Sequence, residues 1–149
     1  MALNRELVGR EYPAPAPYEV SRELIRRFAV AIGDDNAAYV EPAAARALGH
    51  RDVLAPPTFL TVLTFRYAAS SPVVDPDLGL DYSRVVHGEQ RFTHHRPIVA
   101  GDLLTASMTV TDVKTLGGNA MVTAESVMRD GDGAHVVTAT STLVVRGDA

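Results

Sequence analysis

One short stretch concentrates side chains that can transfer protons: Gly33-Asp-Asp-Asn-Ala-Ala-Tyr39. The carboxylate of Asp34 and the amide of Asn36 can orient a water molecule or a hydroxyl group, and the phenol of Tyr39 can donate a hydrogen bond. A phenol has a reference pKa of about 10, so Tyr39 should be a poor base at neutral pH. The alternative is that Asp34 and Asn36 only form a turn after a helix and that Tyr39 packs its ring.

His87 is a second candidate for proton transfer, because imidazole changes charge near neutral pH. It precedes Gly88, which permits close backbone approach. A structural histidine at the start of a strand is the competing interpretation. His94 and His95 are adjacent, so in a strand they should face opposite sides and could not share a metal ion. With no cysteine and no zinc-type spacing, the sequence predicts no metal site.

Composition excludes several classes of protein. A chain of 149 residues fits one domain, and a net charge of −4 provides no basic patch for nucleic acid or a membrane surface. No window approaches the ~20 apolar residues of a membrane span. The first residues contain an acid and no apolar core, unlike a signal peptide. We expect a cytoplasmic protein with one domain over residues 1–149.

Three helices should position these groups. Ser21 is a suitable N-cap for an amphipathic helix that ends at Gly33, with an apolar side formed by Leu24, Ile25, Phe28 and Ile32. A short helix should cover residues 42–48 and stop at Gly49. A third helix is expected from Phe59 to Tyr67, capped by Thr58. It is apolar or small on nearly every face, which is typical of a buried helix.

The rest of the chain has the pattern of an antiparallel sheet. The Pro-rich residues 12–18 should be extended or form an edge strand, and residues 70–84 should form a long loop. Strands are predicted over residues 85–93, 103–113, 120–128 and 135–145, the last three joined by tight turns. A curved sheet needs a cover on its apolar face. The predicted fold is therefore α+β, a single hot-dog in which the sheet wraps one long buried helix.

Four blocks, in order along the chain, resemble those of one family. They are Gly33-Asp-Asp-Asn36 with Tyr39, then Val53–Phe59, Gly79–Phe92 and His95–Leu103. Together they resemble the MaoC-like (R)-specific hydratase and dehydratase family. More closely, they resemble the UPF0336 group of HadA-like subunits of (3R)-hydroxyacyl-ACP dehydratase, which implies the hot-dog fold and lyase chemistry.

The resemblance also marks two departures from the family pattern. In the family, a His handles a proton at the acyl chain, an Asp assists the departing water, and a backbone N–H polarises the thioester carbonyl. Asp34 and Asn36 match, but Tyr39 stands at the position of the His. Pro57 stands where the N–H is expected, and proline has none. The N–H groups of Thr58 and Phe59 are possible substitutes, and so is the imidazole of His87 as a recruited base.

The resemblance implies a subunit that shapes the acyl-chain site while a catalytic hot-dog partner supplies Asp and His. It places the acyl chain beside the third helix, so Pro57, Thr58, Phe59 and Leu63 are predicted to contact substrate. Arg91 is predicted to attract a phosphopantetheine or an acidic carrier protein. The substrate would be acyl-ACP or acyl-CoA, with no bound cofactor, and the chain alone would form a homodimer.

Two other functions remain open from the sequence. One is a self-sufficient homodimeric hydratase or thioesterase with a rearranged site around Asp34 and His87. The other is a non-enzymatic module that binds acyl thioesters. Activity of the purified chain would favour the first, and thioester binding without activity, even beside a catalytic hot-dog chain, would favour the second.

Overall fold

A six-stranded antiparallel sheet forms the centre of the computed structural model, which describes residues 3–147. The strands are β1 (Glu11–Pro13), β2 (Tyr18–Glu19), β3 (Val85–His94), β4 (Leu103–Leu116), β5 (Asn119–Arg129) and β6 (His135–Val145). Their order is β1-β4-β5-β6-β3, and β2 pairs with the first two residues of β4. Within residues 3–147, β3 pairs only with β6 and is therefore an edge strand.

The four long strands lie where the sequence predicts them, and β6 has the predicted bounds. The Pro-rich segment supplies the two short edge strands β1 and β2. Along β4, buried and exposed side chains should alternate from one residue to the next. Leu104 and Val110 follow this pattern and are buried, but Val113, which should face the other side, is buried as well. A register shift between Val110 and Asp112 explains the difference, because the extra residue of a bulge exchanges the two faces of a strand.

The first two helices confirm their predicted ends. Helix α1 (Arg22–Ile32) begins at Ser21, whose hydroxyl oxygen accepts the N–H of Leu24 at 3.2 Å. It ends at Gly33, which has a left-handed φ of 73°. Helix α2 (Pro42–Ala47) follows. Ile32 was predicted on the apolar side but is 47% exposed, since the buried side of α1 ends one turn earlier at Ala29.

Helix α3 (Leu60–Arg66) covers one face of the sheet and is capped differently from the prediction. Phe59 is its N-cap, and no side chain caps it. The prediction that Thr58 caps this helix is therefore wrong. Instead, the carbonyl oxygen of Thr58 accepts hydrogen bonds from both the N–H and the hydroxyl of Thr61. Leu60 and Leu63 are fully buried, but Phe65 is 65% exposed, so the helix is not buried on every side.

The segment predicted as a long loop is a series of short 3₁₀ turns: Ala68–Ser70, Pro72–Val74, Pro76–Leu78 and Tyr82–Arg84. Two carboxylates stabilise them, because Asp75 accepts the N–H of Asp77 and Asp81 accepts that of Ser83. The hydroxyl of Tyr12 donates to Asp75 at 2.7 Å and ties the segment to β1. Hydrogen bonds from these turn-forming side chains therefore give a defined structure to a segment in which hydrophobic residues show no periodicity.

The core has two parts. One joins α1 and α3 to the sheet, and in it the rings of Phe28 and Phe59 meet edge to face with centroids 5.6 Å apart. The other gathers Leu78 from the 3₁₀ segment with Val110 and Val122 of the sheet. The architecture is α+β, as predicted. In the part of the chain described, no helix is long and apolar enough to cross a membrane.

Candidate functional site

A cavity of about 350 Å³ opens between the turn after α1, the segment before α3 and the end of β3. We call it the histidine cavity. Two residues predicted from the sequence, Tyr39 and Pro57, line it together. The other lining residues come from the connection between α2 and α3, the last residue of β3 and the loop after it, and are His50, Leu54, Ala55, His94, His95, Arg96, Pro97 and Ile98. The two departures from the family pattern therefore face the same space.

Asp34 and Asn36 position Tyr39 through backbone hydrogen bonds. The carboxylate of Asp34 accepts the N–H of Asn36 at 3.1 Å, and the amide oxygen of Asn36 accepts the N–H of Ala38 at 3.0 Å. These bonds build the 3₁₀ turn Ala37–Tyr39 and leave Tyr39 only 7% exposed. Asp34 and Asn36 themselves are exposed and do not line the cavity.

The phenol of Tyr39 is a hydrogen-bond donor at neutral pH. Burial, and then the negative charge of Asp34, raise its pKa above the usual value for tyrosine. A raised pKa keeps the hydroxyl protonated and makes it still less suited to act as a base. The hydroxyl forms no hydrogen bond with the residues that the structure describes, so it is available to a bound molecule.

His94 lies in the same cavity, although the sequence pattern was weighed only for a metal ion shared by His94 and His95. Its Nε2 atom is 2.9 Å from the carbonyl oxygen of Pro57. A carbonyl oxygen only accepts hydrogen bonds, so Nε2 must carry the proton. In the neutral ring, the unprotonated nitrogen is then Nδ1. The hydrogen bond to Pro57 therefore assigns the tautomer of His94, which lies in the same cavity as Tyr39.

His95 lines the same cavity, so the expectation that His94 and His95 face opposite sides of one strand does not apply. The reason is that β3 ends at His94 and the chain turns there, with the N–H of His95 donating to Val136 at 2.9 Å. The ring of His95 packs on that of His135 with centroids 4.0 Å apart. Among residues 3–147, no three His, Asp or Glu side chains are grouped to hold a metal ion.

A buried ion-pair network supports the wall of the cavity. Asp102 is 3% exposed and accepts hydrogen bonds from Arg96 at 2.8 Å, from Arg51, and from the N–H of Val99 at 3.0 Å. Arg96 also contacts Asp130 at 3.1 Å. The hydrogen bond with Asp102, followed by that with Asp130, raises the pKa of Arg96. The network fixes the loop that carries His95 and Arg96.

A second cavity, of about 200 Å³, lies between α3, the 3₁₀ segment and the sheet. We call it the apolar cavity, since most of its lining is hydrophobic: Phe65, Leu78, Leu80, Val85, Met108, Val122 and Leu143. His87 lines this cavity and not the histidine cavity. It sits at a register shift between His87 and Glu89. The structure thus places His87 in a different cavity from that of Tyr39.

The remaining predicted binding residues lie outside both cavities. Phe59 and Leu63 are fully buried in the core, and Thr58 is exposed next to Pro57. Arg91 is exposed on β3 and pairs with Glu89 at 2.8 Å. Their roles in substrate binding stay predictions.

Comparison with known proteins identifies the family. The family model described as "FAS1-like, dehydratase domain region" matches residues 6–139. A UPF0336 protein of Clavibacter michiganensis subsp. michiganensis is 62% identical over 148 residues, which are 99% of each chain. Both matches extend over nearly the whole chain.

Two solved structures share the architecture. A chain of the C-terminally truncated HadBC (3R-hydroxyacyl-ACP dehydratase) complex from Mycobacterium tuberculosis is 32% identical, with a TM-score of 0.81 over 93% of this chain and 96% of that one. A chain of the ChsH1-ChsH2 complex from the same organism is 28% identical, with a TM-score of 0.73 over 92% of this chain and 88% of that one. The hot-dog fold is confirmed, and the chain belongs to the FAS1-like dehydratase family, with UPF0336 proteins among its relatives.

Proposed function

We propose that the chain is a HadA-like subunit of a (3R)-hydroxyacyl thioester dehydratase, in which a hot-dog partner supplies the catalytic Asp and His. The observation that carries the proposal is that Tyr39 and Pro57 line one cavity. Removal of an α-proton needs a base whose pKa is near the working pH and a donor for the enolate oxygen. The substitutions remove the family's base and its N–H donor from one site.

An exposed strand edge supports the need for a partner. Strand β3 runs for 10 residues, most of them exposed, and within the described chain it pairs on one side only. An unpaired edge of this length is a template for a strand of another chain. The HadBC and ChsH1-ChsH2 structures are named as complexes. The partner would lie along β3, which begins beside the apolar cavity and ends in the histidine cavity.

The apolar cavity supports a role in holding the acyl chain. It lies beside α3, where the family resemblance places that chain, and its lining is mostly hydrophobic. A pocket of this kind removes methylene groups from water, which favours binding by about 0.8 kcal/mol for each buried CH₂. The thioester would come from acyl carrier protein or coenzyme A, and the exposed Arg91 can contact either carrier.

Co-expression tests this function. The partner should be a hot-dog chain with an intact Asp…Asn-Pro-x-His signature encoded beside this one, and the readout is hydration of crotonyl-CoA and of longer enoyl-CoA substrates. We expect a stable complex with far more activity than either chain alone, and near-complete loss when the partner's catalytic His is replaced by Ala. Full turnover by the isolated chain, lost in Asp34→Ala, would contradict the proposal. A complex that binds thioesters without turnover would instead indicate a binding module.

A further inference from the structure

The histidine cavity contains an imidazole that the family motif does not provide. His94 comes from the end of β3, whereas Tyr39 comes from the turn after α1, and both side chains line the cavity. Three other titratable groups line it: His50, His95 and Arg96. Arg96 is held by Asp102 and Asp130, so its charge is already compensated. His94 is distinguished from the other two histidines by its bond to the motif residue Pro57.

The hydrogen bond to Pro57 prepares His94 to act as a base. With Nε2–H donated to the carbonyl at 2.9 Å, the lone pair of the neutral ring is on Nδ1. The same carbonyl would stabilise the imidazolium that forms when Nδ1 takes up a proton. An orienting acceptor behind an imidazole is the usual way to fix the tautomer and direction of a general base.

Tyr39 provides the complementary group. Its hydroxyl is protonated at neutral pH and has no hydrogen-bond partner among the described residues. A donor of this kind can bind the carbonyl oxygen of a thioester and stabilise the negative charge that develops on it. Tyr39 would thereby replace the N–H that proline cannot offer at position 57.

We propose that His94 and Tyr39 form an acid–base pair that hydrates enoyl thioesters slowly in the histidine cavity, separately from the partner's catalytic residues. The inference rests on the proposed function, because it assumes that a thioester enters this cavity. Nδ1 of His94 takes one proton from water while the water oxygen bonds to Cβ. The electron pair of the double bond moves toward the carbonyl as an enolate, which accepts a hydrogen bond from Tyr39. The imidazolium then returns the proton to Cα, so one water adds across the double bond.

The test uses the complex with its hot-dog partner, in which the partner's catalytic His is replaced by Ala so that only residual hydration of crotonyl-CoA remains. We compare the wild-type chain with His94→Gln, His94→Ala and Tyr39→Phe. Glutamine can still donate to the Pro57 carbonyl but supplies no base, so it separates chemistry from structure. The residual rate should fall roughly tenfold or more in all three variants.

Each alternative outcome is decisive. An unchanged residual rate in His94→Gln overturns the inference, and so does a loss found at His50→Gln, His87→Gln or His95→Gln instead. Absence of any residual rate, beside a fully active unmodified complex, also overturns it and leaves the proposed function intact. If the unmodified complex is inactive, the proposed function fails; turnover by the isolated chain that His94→Gln abolishes would then support the pair alone.

Discussion

Nε2 of His94 donates a hydrogen bond of 2.9 Å to the carbonyl oxygen of Pro57, joining the end of β3 to the segment that enters α3. These residues are 37 positions apart, and both line the histidine cavity. The position of the imidazole therefore depends on where α3 begins. That point is fixed in turn by Phe59, the N-cap of α3, whose ring is fully buried against Phe28.

Phe59→Ala should destabilise the chain strongly. The ring is 0% exposed, and its loss removes both its burial and the edge-to-face contact with Phe28, at a cost of about 3–5 kcal/mol. Urea unfolding of the isolated chain measures this. Phe65→Ala is the matched control on the same helix, because Phe65 is 65% exposed and should change stability by less than about 0.5 kcal/mol. Similar costs at the two positions would contradict the assigned core.

Local patterns predicted the elements well, because each is specified by neighbouring residues. Ser21 and Gly33 mark the ends of α1 through a side-chain cap and a left-handed glycine, both of which are short-range effects. The alternation of apolar and polar residues predicted the bounds of β6 correctly. The same alternation gave the wrong face for Val113, because a bulge exchanges the two faces of β4 and no single residue type predicts a bulge.

The site was predictable only in part. The family motif pointed to Tyr39 and Pro57, and the structure does bring them to one cavity. His94 was considered only as a metal ligand, because its place in the cavity depends on where β3 ends and on a contact with the distant Pro57. Strand ends are the least certain part of any pattern, and a one-residue difference decides whether two adjacent histidines diverge or line one space. His87 was predicted as a candidate base because it precedes Gly88, but tertiary packing places it in the apolar cavity.

Asp102→Ala should cost about 3 kcal/mol or more. It removes the buried partner of Arg51 and Arg96 and leaves the guanidinium of Arg96, which is only 35% exposed, with less compensation. The control is Asp132→Asn, an exposed carboxylate in the turn that follows Asp130, with an expected change below about 0.5 kcal/mol. The measurement is the free energy of unfolding in urea. A small effect at Asp102 would show that the network does not hold the loop at residues 95–102.

The ion pair between Arg22 and Asp52 should make stability fall at acid pH. The hydrogen bond from Arg22, with oxygen and nitrogen 2.7 Å apart, lowers the pKa of Asp52 from its usual 3.8 to about 2. A lowered pKa stabilises the folded state above the unfolded value of 3.8, and this contribution is lost as the pH falls through the folded value of about 2. Because the pair is partly exposed, we expect about 1 kcal/mol.

Comparison with Asp52→Asn isolates that contribution from the other acids. The difference in unfolding free energy between wild type and variant should be present at about pH 6, shrink through about pH 3 and vanish only below about pH 2, under both pKa values. A difference that stays constant over this range would exclude Asp52 as the titrating group.

Gly33→Ala should destabilise the end of α1. Gly33 has φ of 73°, a conformation that costs an L-residue about 1 kcal/mol or more. Gly131→Ala is the matched control, since Gly131 has no positive φ and a Cβ there meets nothing within 4 Å. Thermal unfolding should show a lower midpoint for Gly33→Ala and little change for Gly131→Ala. Because Asp34 follows directly, Gly33→Ala should also lower any activity that needs the turn at residues 34–39, whereas equal midpoints would refute the cap.

Ala124→Leu should restrict the length of acyl chain that the complex accepts. Ala124 lies on β5 and lines the apolar cavity, so the larger side chain would occupy part of its volume of about 200 Å³. Hydration of crotonyl-CoA, which has a short chain, should be nearly unchanged. The kcat/KM for long-chain enoyl thioesters should fall roughly tenfold or more, as for other pockets that exclude methylene groups. Ala43→Leu on the exposed face of α2 controls for added apolar surface, and it should affect neither substrate. Equal losses for short and long substrates in Ala124→Leu would mean that the acyl chain does not enter this cavity.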